Sequence, residues 1–325
     1  MKLIVRDERW PIAGAFTISR GSKTEAHVVV VELQARGHQG RGECVPYPRY
    51  GETIEGVTAA IESVRPQLEA GADRTALQAL LPPGAARNAI DCAFWDLEAK
   101  EAGVRAWTLA GRNRLDPVKT CYTISLGSPE KMAEDARAAA SRPFLKLKIG
   151  GRDDVDCIEA VREAAPRARL IVDANEALSF HDLVRLAPDF DRLSVHLIEQ
   201  PLKAGEDEAL EGYVSPVALC ADESLHHPDD LALCARRYAC VNIKLDKTGG
   251  LTEALALKAR ARDLGLEIMA GCMVATSLSM APAMLIAQGA AVVDLDGPLL
   301  LARDRKPGLV YDGSLIFPPE PELWG

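Results

Sequence analysis

The chain has no Cys-x-x-Cys pair. Its eight cysteines stand scattered, at Cys44, Cys92, Cys121, Cys157, Cys220, Cys234, Cys240 and Cys272. That pattern suits reduced thiols and argues against a disulfide framework or a zinc site. It also has no run of 18 apolar residues, and its opening stretch, Met1 to Trp10, carries no apolar core of a leader. A cytoplasmic protein with no membrane partner is therefore expected. Positive charge is in deficit: 38 Lys and Arg against 47 Asp and Glu give a net charge of −9. A chain so acidic is not expected to bind nucleic acid or an anionic membrane, although a local cluster of cations can still hold a small anion. No Gly-x-Gly-x-x-Gly follows the first strand, which leaves a dinucleotide fold without its main support. What remains is ordinary for a folded protein: 325 residues, 48% hydrophobic and 26% charged, enough for one large domain or two smaller ones.

The first part reads as strands followed by helices. Residues 1–10 and 26–34 are expected strands, the second carrying the β-branched run Val28 to Val31, and Arg41 to Cys44 returns after a Gly37–Gly40 turn. Between the first two strands, Phe16 to Thr24 reads as a polar loop. Thr53 is placed to cap a helix running to about residue 70, and a short helix fits 73–81. In 85–102, Ile90, Ala93, Phe94 and Leu97 recur at amphipathic spacing, and Gly103 ends the helix. Strands then helices make an α+β module.

Beyond residue 118 the pattern changes. Val118 to Ile124 reads as one strand, and Ser128-Pro129-Glu130 opens a helix. Phe144 to Ile149 is a strand in which Lys146 and Lys148 share one face. Two ammonium groups side by side fit either an exposed edge strand or a site where one cation depresses the other's pKa until it can act as a base. Later apolar segments each end in a polar residue: Asp173, Glu199, Asp222, Lys244, then Gly271-Cys272, then Asp294. From Lys148 onward these ends are 22 to 28 positions apart. A strand plus a crossover helix needs about that much chain, and eight such strands fit a parallel (β/α) barrel. Catalytic groups sit at the C-terminal strand ends of such barrels, where these charged residues fall.

Asp173, Glu199 and Asp222 would converge from adjacent strands. Three carboxylates repel unless a cation joins them, and hard oxygen donors without histidine suit Mg²⁺, with Mn²⁺ as a substitute. Lys146 and Lys148 precede this triad and Lys244 follows it. A carboxylate bound there would offer its α-carbon to a base on each face, and cations would offset the charge of its enediolate. Asp294 and Asp296, two apart after the last strand, fit the capped start of a helix.

The motifs run the length of the chain. They include Ser19-Arg20-Gly21, Gly42-Glu43-Cys44, Arg87-Asn88, Lys146-x-Lys148, Asp173-Ala174-Asn175-Glu176, Glu199-Gln200-Pro201 and Asp222-Glu223-Ser224. They continue with Asn242-Ile243-Lys244-Leu245-Asp246-Lys247-Thr248-Gly249-Gly250, Gly271-Cys272-Met273 and Asp294-Leu295-Asp296-Gly297-Pro298. On these residues the chain resembles the enolase superfamily, in its muconate-lactonizing subgroup, and within it the dipeptide epimerases of the L-Ala-D/L-Glu type. The resemblance implies an α/β fold: a (β/α)7β modified TIM barrel over 116–301, an α+β capping domain over 1–115, and a segment, 302–325, returning to the cap. It implies one Mg²⁺ per subunit on Asp173, Glu199 and Asp222, with Lys148 and Lys244 as the two acid/base catalysts. Lys146 then steadies the substrate carboxylate and keeps Lys148 partly neutral. Asp294 and Asp296 bind the ammonium of a dipeptide, with Thr123 and Cys272 beside the substrate. Lys23 stands where relatives specific for glutamyl dipeptides place an arginine, and Arg20 is its neighbour. Asn175 and Asp246, two residues beyond Asp173 and Lys244, are expected to support them from behind. The implied activity is epimerisation of a dipeptide by two-base 1,1-proton transfer, in murein peptide recycling. Alternatives on the same fold are N-acylamino acid racemase, o-succinylbenzoate synthase and muconate cycloisomerase; from another class, a Schiff-base lysine aldolase. The expected partner is a small-molecule dipeptide, and a homo-oligomer is compatible with this reading.

Overall fold

The structure, a computed structural model, describes residues 1–325. It opens with a three-stranded antiparallel sheet of β1 (Lys2–Ile18), β2 (Gly21–Ala35) and β3 (His38–Cys44). Val29, Val31 and Leu33 of β2 pack on helices, while Val28 and Val30 join the larger core on the other face. Burial on both faces explains why this strand reads as a continuous apolar run. The stretch expected as a polar loop is instead the tip of a long hairpin: Phe16 pairs with Lys23 and Thr17 with Ser22, so only Ser19 and Arg20 turn. Its polar side chains look like loop residues because they face the mouth of the barrel.

Helix α1 (Ile54–Ser63) is capped by the Thr53 side chain, which accepts from Gly56 N–H. The single helix expected to residue 70 breaks at Val64, and α2 (Arg65–Glu69) restarts with Pro66, which has no N–H to continue the ladder. Helix α3 (Arg74–Leu80) is capped by Asp73. Helix α4 (Ala85–Ala102) ends at Gly103 but is not amphipathic in place. It lies between the sheet and the barrel, and Arg87, Asn88, Asp91 and Asp96 are buried along with its apolar stripe. Each is satisfied: Asp91 accepts from the backbone and hydroxyl of Thr252, and Arg87 donates to Thr248 and Gly249 carbonyls. On the sheet side, a Cβ at Gly42 would stand 2.1 Å from Ala89 O, so glycine permits the close approach. A four-residue helix, α5 (Ala106–Leu109), ends the module.

Residues 118–124 are not one strand. β4 (Val118–Lys119) turns outward to pair with Leu315 and Ile316 near the C-terminus, and β5 (Tyr122–Ile124) starts the barrel. The other barrel strands are β6 (Phe144–Lys148), β7 (Arg169–Asp173), β8 (Val195–Glu199), β9 (Ala218–Ala221), β10 (Cys240–Ile243), β11 (Glu267–Gly271) and β12 (Val292–Asp294). All eight are parallel and neighbour one another in sequence order. Cys121 N–H donates to Val293 O at 2.8 Å and closes the ring. Crossovers carry α6 (Pro129–Ala138), α7 (Val155–Ala164), α8 (Phe180–Arg192), α9 (Leu231–Arg237), α10 (Leu245–Thr248), α11 (Leu251–Asp263) and α12 (Ser277–Ala287); α13 (Gly297–Leu300) follows β12. The β8–β9 connection departs from the expected repeat, holding only a 3-10 turn at Glu208–Leu210.

Strand alternation sets the interior. Cys121, Ile171, Leu197, Cys220, Cys240, Met269 and Val292 form one buried apolar cluster. Each lies two residues before Thr123, Asp173, Glu199, Asp222, Asn242, Gly271 and Asp294, so the polar layer stands directly on a dry floor. Three of the scattered cysteines are thus floor packing.

After α13, β13 (Tyr311–Asp312) and β14 (Leu315–Ile316) join β4 in a small sheet, and the chain returns to α4. Trp324 is fully buried and donates to Cys92 O at 3.0 Å, and Gly325 N–H donates to Asp96 at 2.6 Å. Trp324→Ala is expected to cost about 3–5 kcal/mol of unfolding free energy, measured by denaturant melts, because it empties a large site and removes the indole hydrogen bond. No helix is long and apolar enough to cross a membrane.

Candidate active site

The lysines are not on an exposed edge. Lys146 and Lys148 stand inside the barrel, and Lys146 is only 2% exposed. Its Nζ lies 2.7 Å from Glu199 Oε2, 3.0 Å from Asp173 Oδ2 and 2.7 Å from Asp294 Oδ2. Lys148 Nζ donates to Asp173 Oδ2 at 2.5 Å. Lys244, which follows β10, donates to Asp222 Oδ2 at 2.6 Å. Three strands separate β6 from β10 whichever way the barrel is counted, so Lys148 and Lys244 rise from opposite walls. Asp173, Glu199 and Asp222 lie on the strand ends between them.

Burial and charge oppose each other here. Burial pulls the Lys146 ammonium down, but the carboxylates of Asp294, Glu199 and Asp173 outweigh it and hold the group well above the usual lysine value. Lys244 is raised for the same reason by Asp222 and Glu199. Burial would raise Asp173, yet Lys148 and Lys146 hold it well below the usual carboxylate range. Asp222 is lowered likewise by Lys244 and Lys247. Glu199 is pushed up to about 7 by burial and by the charge of Asp173.

No three His, Cys, Asp or Glu side chains stand close enough to form a ready cation cage, because ammonium groups lie among the acids. The donor set nonetheless fits Mg²⁺. It is oxygen-only and drawn from three adjacent strands. Glu199 Oε2 is buried without a hydrogen bond, since Lys146 approaches it from a direction that makes none.

Asp294 ends β12 with Oδ1 buried and unpartnered. Asp296 is past the strand, so the two do not share a strand face; both still line the cavity because the chain turns into α13. Asp296 Oδ2 accepts Thr123 N–H at 2.6 Å, and burial with the charge of Asp294 pushes it up to about 7. Thr123, Cys272 and Lys23 line the same cavity of about 680 Å³. Lys23 makes no ion pair; its ammonium lies 5.3 Å above the Tyr47 ring.

Arg20 is fully engaged. It donates to Glu223 at 2.8 Å, to Tyr47 Oη at 3.1 Å, and to Asn175 O and Glu176 at 2.9 and 3.1 Å. Arg49 donates to both oxygens of Glu176 at 2.7 Å. These bonds clamp the hairpin tip onto the loops that follow Asp173 and Asp222. Asn175 touches Asp173 through its backbone N–H, 3.0 Å from Oδ1, rather than through its side chain. Asp246 does not support Lys244. The strand ends at Ile243, so the two-residue alternation fails, and its carboxylate instead accepts from Val45 N–H and Asn88 at 3.0 and 2.8 Å. Sequence reasoning assigned no role to Asn242, whose amide donates to Glu199 Oε1 at 2.7 Å, or to Lys247, which donates to Asp222 Oδ1 at 2.7 Å. Alternation from Lys244 back to Asn242 carried the first signal. Lys247 carried none, because it is reached only through a helical turn.

Comparison with known proteins gives this geometry a lineage. Residues 1–111 match the mandelate racemase/muconate lactonizing enzyme N-terminal domain, and residues 130–320 match the enolase C-terminal domain-like family. The chain is 46% identical to the L-Ala-D/L-Glu epimerase of Escherichia coli K12, over 94% of this chain and 96% of that one. It is 43% identical to an N-acetyl-D-glutamate racemase of a Pseudoalteromonas species, over 92% and 95%. A solved enolase family member from Agrobacterium tumefaciens, with homology to dipeptide epimerases and with bound sodium and L-Ala-L-Glu, is 55% identical, with a TM-score of 0.97 and 99% of each chain covered. A dipeptide epimerase from Enterococcus faecalis, solved with Mg and L-Leu-L-Tyr, is 28% identical, with a TM-score of 0.90, covering 98% and 97%. The chain belongs to the mandelate racemase/muconate lactonizing enzyme family of the enolase superfamily.

Proposed function

We propose that this protein is an isomerase that epimerises a dipeptide at its C-terminal residue, with Mg²⁺ as cofactor. The observation that carries the reading is the placement of Lys148 and Lys244 on opposite barrel walls across three acids. Asp173, Glu199 and Asp222 would hold Mg²⁺, which supplies positive charge against the second negative charge of an enediolate. The lysines do the proton chemistry. With the substrate carboxylate among these cations, the α-carbon lies between two Nζ atoms; one amine takes the proton and the opposite ammonium returns one, inverting the centre. Lys146, ion-paired with three carboxylates, keeps its proton and stabilises developing anion.

Asp294 and Asp296 give a free ammonium two carboxyl partners. Lys23, the unpaired cation of the cavity, suits an acidic side chain as a point charge. An alanyl-glutamyl dipeptide, as in the name of the Escherichia coli relative, satisfies both. Such substrates arise in cytoplasmic recycling of murein peptides. A second reading, racemisation of an N-acyl glutamate, draws on the Pseudoalteromonas relative and on Asp296, whose carboxyl, pushed up to about 7 by burial and the charge of Asp294, can carry a proton and donate it to an acyl oxygen.

The test is incubation with a dipeptide panel and N-acetylglutamate in D₂O with Mg²⁺. Mass gain by one at the α-carbon of glutamate in Ala-Glu is expected, and EDTA is expected to abolish it. Absence of exchange in every dipeptide would sink the epimerase reading. Activity surviving EDTA and trapped by borohydride would instead indicate a Schiff-base lysine.

A further inference from the structure

Each of the three acids has its two oxygens in different surroundings. Asp173 Oδ1 accepts Asn175 N–H at 3.0 Å, in a turn where Asn175 adopts the left-handed region (φ 42), while Oδ2 meets Lys146 and Lys148. Glu199 Oε1 accepts from Asn242 Nδ2 at 2.7 Å, while Oε2 faces Lys146. Asp222 Oδ1 accepts from Lys247 at 2.7 Å, while Oδ2 meets Lys244. The pattern is the same three times: one oxygen pinned from behind, one presented to the cluster of ammonium groups.

The pinning donors are themselves built in. Lys247 is 1% exposed and spends its three protons on Asp222 Oδ1, Asp222 O at 2.5 Å and Asn242 O at 3.0 Å. Asn242 fits only because residue 271 is glycine: a Cβ there would lie 2.3 Å from its Oδ1. That Oδ1 has no partner, so the amide's one hydrogen bond is the one to Glu199. Asn242 lies in β10 and Lys247 in α10, on either side of Lys244.

We infer that Asn242 and Lys247 are positioning residues that restrict Glu199 and Asp222 to one donor oxygen each, and so tune the site to a small octahedral cation with room left for substrate. The inference rests on the reading of the three acids as Mg²⁺ ligands. Mg²⁺ demands near-ideal octahedral geometry, whereas Ca²⁺ accepts six to eight oxygens and welcomes a carboxylate that gives both. A carboxylate released from its pin can rotate and offer both oxygens, which helps Ca²⁺ and not Mg²⁺.

The test is calorimetric titration of Mg²⁺ alone, then Ca²⁺ alone, into metal-free wild type, Asn242→Leu and Lys247→Met, with thermal melts beside them. Wild type is expected to prefer Mg²⁺. Each folded variant is expected to bind Mg²⁺ about 10–100-fold more weakly, as for other supports of metal ligands, with Ca²⁺ weakened less, so the preference narrows. A structural role alone would lower the melting temperature and leave the Mg²⁺/Ca²⁺ ratio unmoved, and an unchanged ratio in folded variants overturns the inference. Should Lys247→Met fail to fold, Asn242→Leu decides it. Wild type binding neither ion overturns the metal site itself, a failure distinct from that of the pins.

Discussion

Lys148→Ala and Lys244→Ala are each expected to lose net epimerisation by at least about 10³-fold while remaining folded. The size follows from removing a positioned acid/base, worth about 10²–10⁴-fold, in a reaction that needs one such group on each face. Retention of fold follows from the way the ion pairs are shared. Without Lys148, Asp173 keeps Lys146 at 3.0 Å and Asn175 N–H at 3.0 Å. Without Lys244, Asp222 keeps Lys247 at 2.7 Å. Neither change leaves a buried carboxylate unpaired, so the 3–5 kcal/mol penalty typical of a broken buried pair does not apply (~3–5 kcal/mol). The two variants are also expected to differ by stereochemistry. Each keeps the base on one wall, so each still exchanges the α-proton of one diastereomer with D₂O without inverting it. Chiral chromatography alongside mass spectrometry reads both outcomes. Full net epimerisation by either variant refutes the two-base scheme.

The site was legible in the sequence where strand alternation governs it. Lys146, Lys148, Asp173 and Glu199 lie within strands, and counting by two places them on the inner face above the apolar floor. Legibility ended where strands end. Asp246 sits in α10 and turns away from Lys244; Lys247, one residue on, turns back to Asp222. Counting by two cannot follow a chain that changes period at residue 244. The hairpin tip failed for another reason. Its polar side chains are sheet residues facing a functional cavity, a pattern that sequence alone assigns to solvent. Arg20 and Lys23 read as the two cations of one loop, with Lys23 toward the substrate and Arg20 supporting it. The fold divides them: Arg20 is consumed by Glu223, Glu176 and Asn175, and Lys23 is left free. Likewise α4 showed only its sheet-facing stripe, because its buried Asp91 and Arg87 are satisfied by the barrel and not by water.

Asp296→Asn is expected to lower kcat/KM on alanyl-glutamate by about 10²-fold, within the 2–5 kcal/mol range for losing one partner of a buried charged contact (~2–5 kcal/mol), with little loss of stability. The substitution is a clean one. An asparagine Oδ1 can still accept Thr123 N–H, the one hydrogen bond that the carboxylate makes, and Asp294 keeps its pairing with Lys146. What disappears is a negative charge beside the place where a substrate ammonium would sit. The sign of the pH dependence follows. Burial and the Asp294 charge raise Asp296 to about 7, so below that pH its carboxyl holds a proton and is neutral. Binding of a cationic head should therefore weaken as pH falls through about 7, and the variant should lack that part of the slope. N-acetylglutamate carries no ammonium, so its turnover, where present, should suffer far less from the substitution than that of the dipeptide. Parallel pH profiles of kcat/KM on the two substrates separate the readings. A dipeptide profile unchanged by Asp296→Asn assigns the residue to the start of α13 alone. Selective loss on the dipeptide makes it half of an ammonium site, and specificity for a free N-terminus then comes from the turn that leaves the last strand of the barrel.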